Sequence, residues 1–494
     1  MRVTNSMMRN NSLMNMQKNK NVYNKYLQEY SSQKKIQRPS DDPTIAVRAL
    51  KYRTTLADIE QFLKNIDDAT SWMNQTETSL KDVSSILTTM QDYYTQAATG
   101  TYGSSDREKI ITQLKEYQKY IYEQDANADY SGRYLFTGYR TDLSLLFEKD
   151  QEHTTYTITE KLDVADIRKY QYVYGGAEYD ATKTADDYAT ESAEFRATHR
   201  IMISYDNCDD VVPTITYKDS TGADQTITPV VKSVSDDTVF NEHLKPDGDQ
   251  VFFVPETGEV IFGDDIYETV RNGSDLQVEY QKTSFKTNEI RPEHYFNCVA
   301  YNIETGESIN YRNPEKQEMS YQINFSQTLS VNTIGCNAID TTIRRKIDEI
   351  TDICNDIDNI EQELKSVEKR LQDCPADDEE KLSALNELKT QIETKLTLEK
   401  TVLTNQLGSG ITVCQDAQSK VNVALANHGS RYNRMEMTKS KLKDQELATE
   451  EAKSDNEDAD LGEAYIGFSE ADLLYQATLN ATNKILGQSL LNFI

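Results

Sequence analysis

The chain has 494 residues, enough for more than one hydrophobic core, because a single core stops growing at roughly 250 to 300 residues. Its 82 Asp and Glu outweigh 53 Lys and Arg and leave a net charge of -29, a field that repels nucleic-acid phosphates and anionic membrane surfaces. The opening MRVTNSMMRNNSLMNMQKNK carries cations but neither the apolar core nor the small-residue cleavage site of a secretory signal, so no cleaved leader is expected. Six widely spaced cysteines (Cys208, Cys298, Cys336, Cys354, Cys374, Cys414) form no C-x-x-C pair and read as ordinary thiols.

From Pro43 to about Thr99 an apolar stripe runs through Ile45, Ala49, Leu56, Ile59, Leu63, Ile66, Ala69, Met73, Leu80, Val83, Leu87, Met90 and Tyr94, with no glycine or further proline before Gly100. That spacing predicts one helix roughly 85 Å long, at about 1.5 Å per residue. The preceding PSDDP, Pro39, Ser40, Asp41, Asp42 and Pro43, marks its start. Asp42 suits the N-cap, Pro43 the first helical position, and both carboxylates the positive end of the helix dipole. After TGTYGSSD, Ser105 or Asp106 is expected to cap a second helix running to Tyr130.

Between about Tyr139 and Thr333 the pattern becomes alternating and β-branched. Turns are expected at Ser220 to Gly222 and at Thr257–Gly258, Pro255 disfavours a central position for its strand, and MSYQINFSQTLSVN reads as one last strand. From Ile339 helix returns on Ile343, Ile347, Ile350, Ile353, Ile357, Ile360, Leu364, Val367 and Leu371. The DCPADDEE segment then turns the chain, and Leu382, Leu385, Leu388, Ile392, Leu396, Leu403 and Leu407 carry a second arm, an antiparallel coiled-coil hairpin. A further helix is expected from about Thr412 to Ala452, followed by acidic SDNEDADLGE and a last amphipathic helix. Its apolar face is Tyr475, Leu479, Leu486, Leu490 and Phe493; Asn480, Asn483, Lys484 and Gln488 interrupt it too often for a bilayer span, so its partner is expected to be protein.

The two ends differ in charge: residues 1–53 carry eleven Lys or Arg against Glu29, Asp41 and Asp42, and residues 441–494 carry eleven Asp or Glu against four Lys. Such ends suit each other or a neighbouring copy. Catalytic and cofactor motifs do not appear. The five histidines make no H-E-x-x-H, and no G-x-S-x-G, P-loop or dinucleotide fingerprint is present, so no metal, cofactor or enzymatic activity is expected. Met7, Met8, Met14 and Met16 fit an adaptable packing face better than a soft-metal site, and Trp72 fits a packing anchor.

Three segments carry a resemblance: RPSDDPTIAVRALKYRTTLADIEQFLKNIDDATSWMNQTETSL (Arg38 to Leu80), QAATGTYGSSDREKI (Gln96 to Ile110) and GRYLFTGYRTD (Gly132 to Asp142). They resemble the N-terminal helical region of the flagellin-like hook-associated proteins, type 3, of the bacterial hook–filament junction. NEDADLGEAY with the final LLYQATLNATNKILGQSLLNFI resembles the matching C-terminal end. Flagellins share the two-ended plan but more usually begin this helix with an AKDDAAG-like segment.

The resemblance implies a mainly α protein with an inserted β region, a flagellin-like rod whose two ends meet. The boundaries are a 1–42 assembly segment disordered in the monomer, 43–138 as the N-terminal half of the rod, 139–335 as a β-rich variable domain, 336–459 as the hairpin with the C-terminal half of the rod, and 460–494 as an assembly helix. It implies a structural adaptor, secreted uncleaved through the flagellar type III export apparatus and guarded beforehand by a cytoplasmic chaperone. In place, it would form a self-assembled ring between a hook-associated protein and flagellin. The candidate assembly contacts are Val3, Met7, Met14, Tyr23 and Leu27 at one end and Tyr475, Leu479, Leu486, Leu490 and Phe493 at the other. A flagellin is the alternative, and an extracellular enzyme on a flagellin-like frame a more distant one.

Overall fold

The computed structural model describes residues 5–99, 103–234, 244–375 and 378–491. Long helices occupy both ends and β-sheet the middle, as the alternation of patterns predicts. The chain divides into two compact units. One joins Met1–Asp68, Tyr321–Leu329 and Asn433–Ile494; the other joins Ala69–Ser320 and Ser330–Tyr432.

Helix α1 spans Asn5–Ser32 and α2 spans Pro43–Thr99. The start of α2 is built as its sequence requires: Asp42 Oδ1 accepts from the amides of Thr44 at 2.8 Å and Ile45 at 3.2 Å. Asp41 does something else. Its carboxylate closes the preceding turn by accepting from Arg38 N at 2.9 Å and Gln37 N at 3.1 Å, which holds its acid below the usual carboxylate range. Along α2 the predicted stripe is the buried one, with Ile59, Ile66, Met73, Leu80, Leu87 and Met90 sealed from solvent.

Helix α3 begins at Ser104 on an extended Gly103 and ends at Lys119, so the cap falls two to three residues before the expected Ser105 or Asp106; Asp106 sits in the first turn instead. Nor does α3 run on to Tyr130. Tyr120–Asp125 forms a π-helical turn, closed by Ala126 N to Ile121 O at 2.8 Å, which buries Ile121 and Tyr122 and brings the Tyr122 hydroxyl to the Asp340 carbonyl. The same turn buries Asp125, whose Oδ2 finds no partner among the described residues. Burial, with Asp82 nearby, pushes its carboxyl up to about 7. An acid whose folded pKa is raised costs stability that builds from the ordinary value, 3.8, up to the folded one and is complete above it. Asp125→Asn is therefore expected to raise the melting temperature most at pH 8.5 and by less than half as much at pH 5. An equal shift at both values in thermal melts would rule out ionisation as the cause.

A two-residue hairpin follows, β1 (Asp129–Tyr130) with β2 (Arg133–Tyr134). The β region then lays down β3 (Thr154–Leu162), β4 (Arg168–Tyr174), α4 (Ala185–Thr190), β5 (Glu194–Met202), β6 (Thr214–Lys218), β7 (Asp224–Ile227), β8 (Val230–Val231), β9 (Val251–Val254), β10 (Glu259–Phe262), α5 (Asp264–Val270), β11 (Ser274–Lys282), α6 (Pro292–Tyr295), β12 (Asn297–Asn302) and β13 (Ser308–Tyr311). Two sheets result, ordered β13-β12-β3-β11-β6-β7 and β4-β5-β10-β9-β8, antiparallel throughout except for β8 with β9. Ile158, Ile203, Ile215, Phe253, Val260, Val278 and Tyr280 share one core. Both predicted turns are present. Gly258, between β9 and β10, has φ +63, and a Cβ there would stand 2.0 Å from the Tyr205 carbonyl. Pro255 does not demote its strand, because β9 stops at Val254 and the proline falls in the turn while β9 sits inside the sheet. The segment read as one last strand is a hairpin, β14 (Ser320–Asn324) and β15 (Gln327–Ser330). Its alternation continues through a turn at Phe325 and Ser326.

After α7 (Gly335–Ala338), α8 (Thr342–Asp373) and α9 (Glu379–Glu457) form the predicted antiparallel hairpin. Lys389 pairs with Glu368 at 2.9 Å and Lys400 with Glu361 at 3.0 Å. Ile360, Val367, Leu385, Leu388 and Ile392 fill its core. The expected restart near Thr412 is absent, and α9 passes through Gly408 and Gly410 without a break. Gly410 is needed there: a Cβ would lie 2.7 Å from the Tyr94 ring. The final helix α10 (Leu461–Leu491) begins on Asp460, whose Oδ1 accepts from Gly462 N at 2.7 Å.

Within the second unit, charges are buried between sheet and helices. The Arg200 guanidinium on β5 bonds Glu259 on β10 and Glu349 on α8 and lies 3.3 Å over the Tyr170 ring. Lys346 reaches Glu349 at 2.8 Å and Gln406 on α9 at 2.5 Å. Tyr170, Arg200, Lys346, Glu349 and Gln406 line part of a cleft of about 820 Å³.

Candidate assembly interface

Helices α1 and α10 run antiparallel, because rising positions on one meet falling positions on the other. Asn19 Nδ2 donates to Thr478 Oγ1 at 2.6 Å, the Tyr23 ring lies 5.6 Å from Tyr475 and 5.5 Å from Phe468, and Tyr30 lies 6.0 Å from Phe468 and 5.8 Å from Tyr465. Gly467 makes room for Tyr26, whose ring would be 2.6 Å from an added Cβ. Aromatic rings thus form the seam, where offset contacts add to simple burial.

Of the predicted contact residues, the structure brings Tyr23 and Tyr475 together and half-buries Leu479 on the same face of α10. Met7, Met14 and Leu27 are exposed, Met7 at 60%. Leu486 and Leu490 lie on α10 at positions whose side chains fall outside the described ones, and Val3 and Phe493 lie outside the described residues altogether. Sequence reasoning missed Tyr26, Tyr30, Gly467 and Phe468. The step of three and four through Tyr23, Tyr26 and Tyr30 was the signal available. Ile466 and Leu473 stay exposed as well, at 60% and 71%.

The connecting segments pair where the helices end. Lys35 N donates to Glu457 O at 2.8 Å and Ala459 N to Gln33 O at 2.9 Å, a β-bridge of Lys34 with Asp458. The opposite charges of the two ends meet here. Lys34 Nζ lies 3.1 Å from Glu457 and bonds Asp458, and Arg53 lies 2.7 Å from Glu457. Burial would push the Glu457 acid up, but the hydrogen bonds from Lys34 and Arg53 outweigh it and hold the group below the usual range. Asn456 Nδ2 donates to Ile45 O at 3.0 Å, and Lys439 sits 2.7 Å from Asp67, which ties the end of α9 to the start of α2.

Other chemistry is sparse. Among the described residues no three His, Cys, Asp or Glu side chains gather as a metal site, and no helix is long and apolar enough to cross a membrane. The six cysteines are free, and burial pushes the thiols of Cys208, Cys336 and Cys414 up to about 12, so they stay protonated at neutral pH.

Comparison with known proteins places a match over the same arm. Residues 3–141 match the bacterial flagellin N-terminal helical region. Flagellar hook-associated protein 3 of Salmonella typhimurium is 27% identical over 142 residues, 29% of this chain and 45% of that protein. Its Escherichia coli counterpart is 26% identical over 149 residues, 30% and 47% of the two chains, and a flagellin of Clostridium tyrobutyricum is 26% identical over 141 residues, 28% and 37%. The chain thus spans about half the length of the hook-associated relatives it matches. A solved flagellar hook-associated protein of Vibrio parahaemolyticus aligns over 85% of this chain and all of its own, at 14% identity and a TM-score of 0.33, too loose to bear on the assignment. Residues 3–141 match the bacterial flagellin N-terminal helical region, and the chain is similar to flagellar hook-associated protein 3.

Proposed function

We propose that this chain is a structural junction protein of the bacterial flagellum, a self-assembled ring that joins a hook-associated protein on one side to the flagellin filament on the other. The observation that carries the reading is the α1–α10 pair. An aromatic seam holds the two ends of the chain together, while Met7, Met14, Ile466 and Leu473 remain exposed for burial by neighbours, and the flagellin match begins in the same arm. Exposed large apolar side chains repeated along two helices suit an interface between subunits. In this reading residues 1–42 and 460–494 order fully only on assembly, and a cytoplasmic chaperone covers them before uncleaved export through the flagellar type III apparatus. Chemistry has no part in the role.

The test is electron microscopy of cells lacking the protein. Hooks without filaments, with flagellin shed into the medium, are expected; normal filaments would overturn the reading. The similarity to a flagellin keeps a filament-subunit role as the second reading. Copy number separates the two, since a filament is built from far more subunits than a ring.

A further inference from the structure

Alongside the second half of α2, α9 runs antiparallel: Gln91 Nε2 bonds Gln418 at 3.0 Å, and Gln418 Nε2 bonds Thr88 Oγ1 at 2.8 Å and Ser84 O at 3.2 Å. His428 stands on α9 further along this seam. Its side chain is completely buried, and among the described residues neither ring nitrogen has a hydrogen-bond partner. The Met73 backbone and Glu77 on α2 favour a charged ring, while Lys81 on α2 and Arg431 on its own helix oppose it. Arg431 is itself committed to the segment after β15, donating to Asn332 O at 2.7 Å, Ser330 O at 3.2 Å and Thr333 Oγ1 at 3.2 Å, with Glu318 as its acidic neighbour.

We propose that His428 is an acid-sensitive release point for the pairing of α2 with α9. A neutral imidazole tolerates this site, because it forgoes hydrogen bonds without burying a charge. A protonated ring would bring a positive charge into a buried site already facing Arg431 and Lys81, against which the Met73 backbone and Glu77 on α2 act, and burial outweighs them. Burial and Arg431 accordingly hold the ring's pKa below its ordinary value. A depressed folded pKa means that the open form takes up the proton first. The pairing is intact above the ordinary histidine value and weakens as pH falls through it. Below about pH 6.5 the ratio of open to closed seam rises, by at most about tenfold per pH unit, until the closed ring itself takes up the proton. The buried carboxylates with raised pKa, such as Asp125, act in the opposite sense, and His294, among the described residues the other buried histidine with an unpartnered nitrogen, sits on α6.

Hydrogen exchange on the full chain at about pH 7.5, 6.5 and 5.5, corrected for intrinsic rates, tests this in peptides covering residues 69–80 and 421–432. Opening in the wild-type chain is expected to rise up to about fivefold between the two lower values, and to stay level in His428→Leu and His428→Asn. Should the leucine variant not fold, the asparagine variant decides. An opening that rises equally in a folded variant would overturn the proposal. So would a His428 ring that titrates at its ordinary value, by NMR of the isotopically labelled wild-type chain, while both peptides stay protected.

Discussion

Gly467→Leu is expected to give cells that build hooks and shed flagellin, from a protein whose remaining helices and sheets fold normally. Even a methyl group at this position would sit 2.6 Å from Tyr26 Cε1, 2.8 Å from Cδ1 and 3.0 Å from Cζ, distances that real Cβ contacts do not reach. The ring has little room to yield, because Tyr23 on one side of it packs against Phe468 and Tyr475, and Tyr30 on the other against Tyr465 and Phe468. The larger side chain therefore pushes α1 off α10 along the whole aromatic seam. Burying one aromatic or large aliphatic side chain is worth about 1.5 to 3 kcal/mol, and the proposed ring would repeat the loss at every subunit. Thermal melting of the purified variant should stay within a few degrees of wild type, because the other cores do not use this contact. Motile cells with full filaments would mean that the α1–α10 pair is not the assembly element.

Arg200→Met is expected to cause the largest loss of stability of any single change in the β region. It leaves the carboxylates of Glu259 and Glu349, 6% and 7% exposed, without the guanidinium that joins them, and leaves Lys346 as the one cation on Glu349. Removing one partner of a buried ion pair costs about 3 to 5 kcal/mol, whereas replacing the whole set with neutral groups of like size is close to neutral. Calorimetry should find the melting temperature lower by on the order of 10 °C. The triple change Arg200→Met, Glu259→Gln, Glu349→Gln should recover most of it. A single variant that melts with wild type would show that water reaches this network freely.

Much of the helical plan was legible because one face of each helix is buried. The stripe from Ile59 to Tyr94 is the buried stripe of α2, and the residues at Asp42 and Pro43 that favour a helix start do start it. The antiparallel hairpin of α8 and α9 followed from the same periodicity. Three features were hidden because their causes lie far away in sequence. Gly408 and Gly410 look like a helix break, and only the Tyr94 ring against Gly410 explains why the helix continues. The π-helical turn after Lys119 serves Tyr122 and its distant partner Asp340. Arg200, Glu259, Glu349 and Lys346 form a network only after folding, and in the sequence they are scattered charges. At the assembly face, hydrophobicity singled out Met7 and Met14, which are exposed, while the seam itself is aromatic and spaced by threes and fours.

The bridge of Lys34 with Asp458 bears on the order in which the molecule comes into being. It joins positions 424 residues apart, and Asn19 waits for Thr478 across 459. Loop-closure entropy grows only logarithmically, about 0.6 kcal/mol for each doubling of length, so the distance does little harm to the finished state. Its effect is kinetic. Contacts this distant are slow to find, and during synthesis the N-terminal helix emerges with no partner until nearly the whole chain has been made. The two-helix arm is therefore the last contact to form, and a newly made chain holds its aromatic seam open after its other helices have closed.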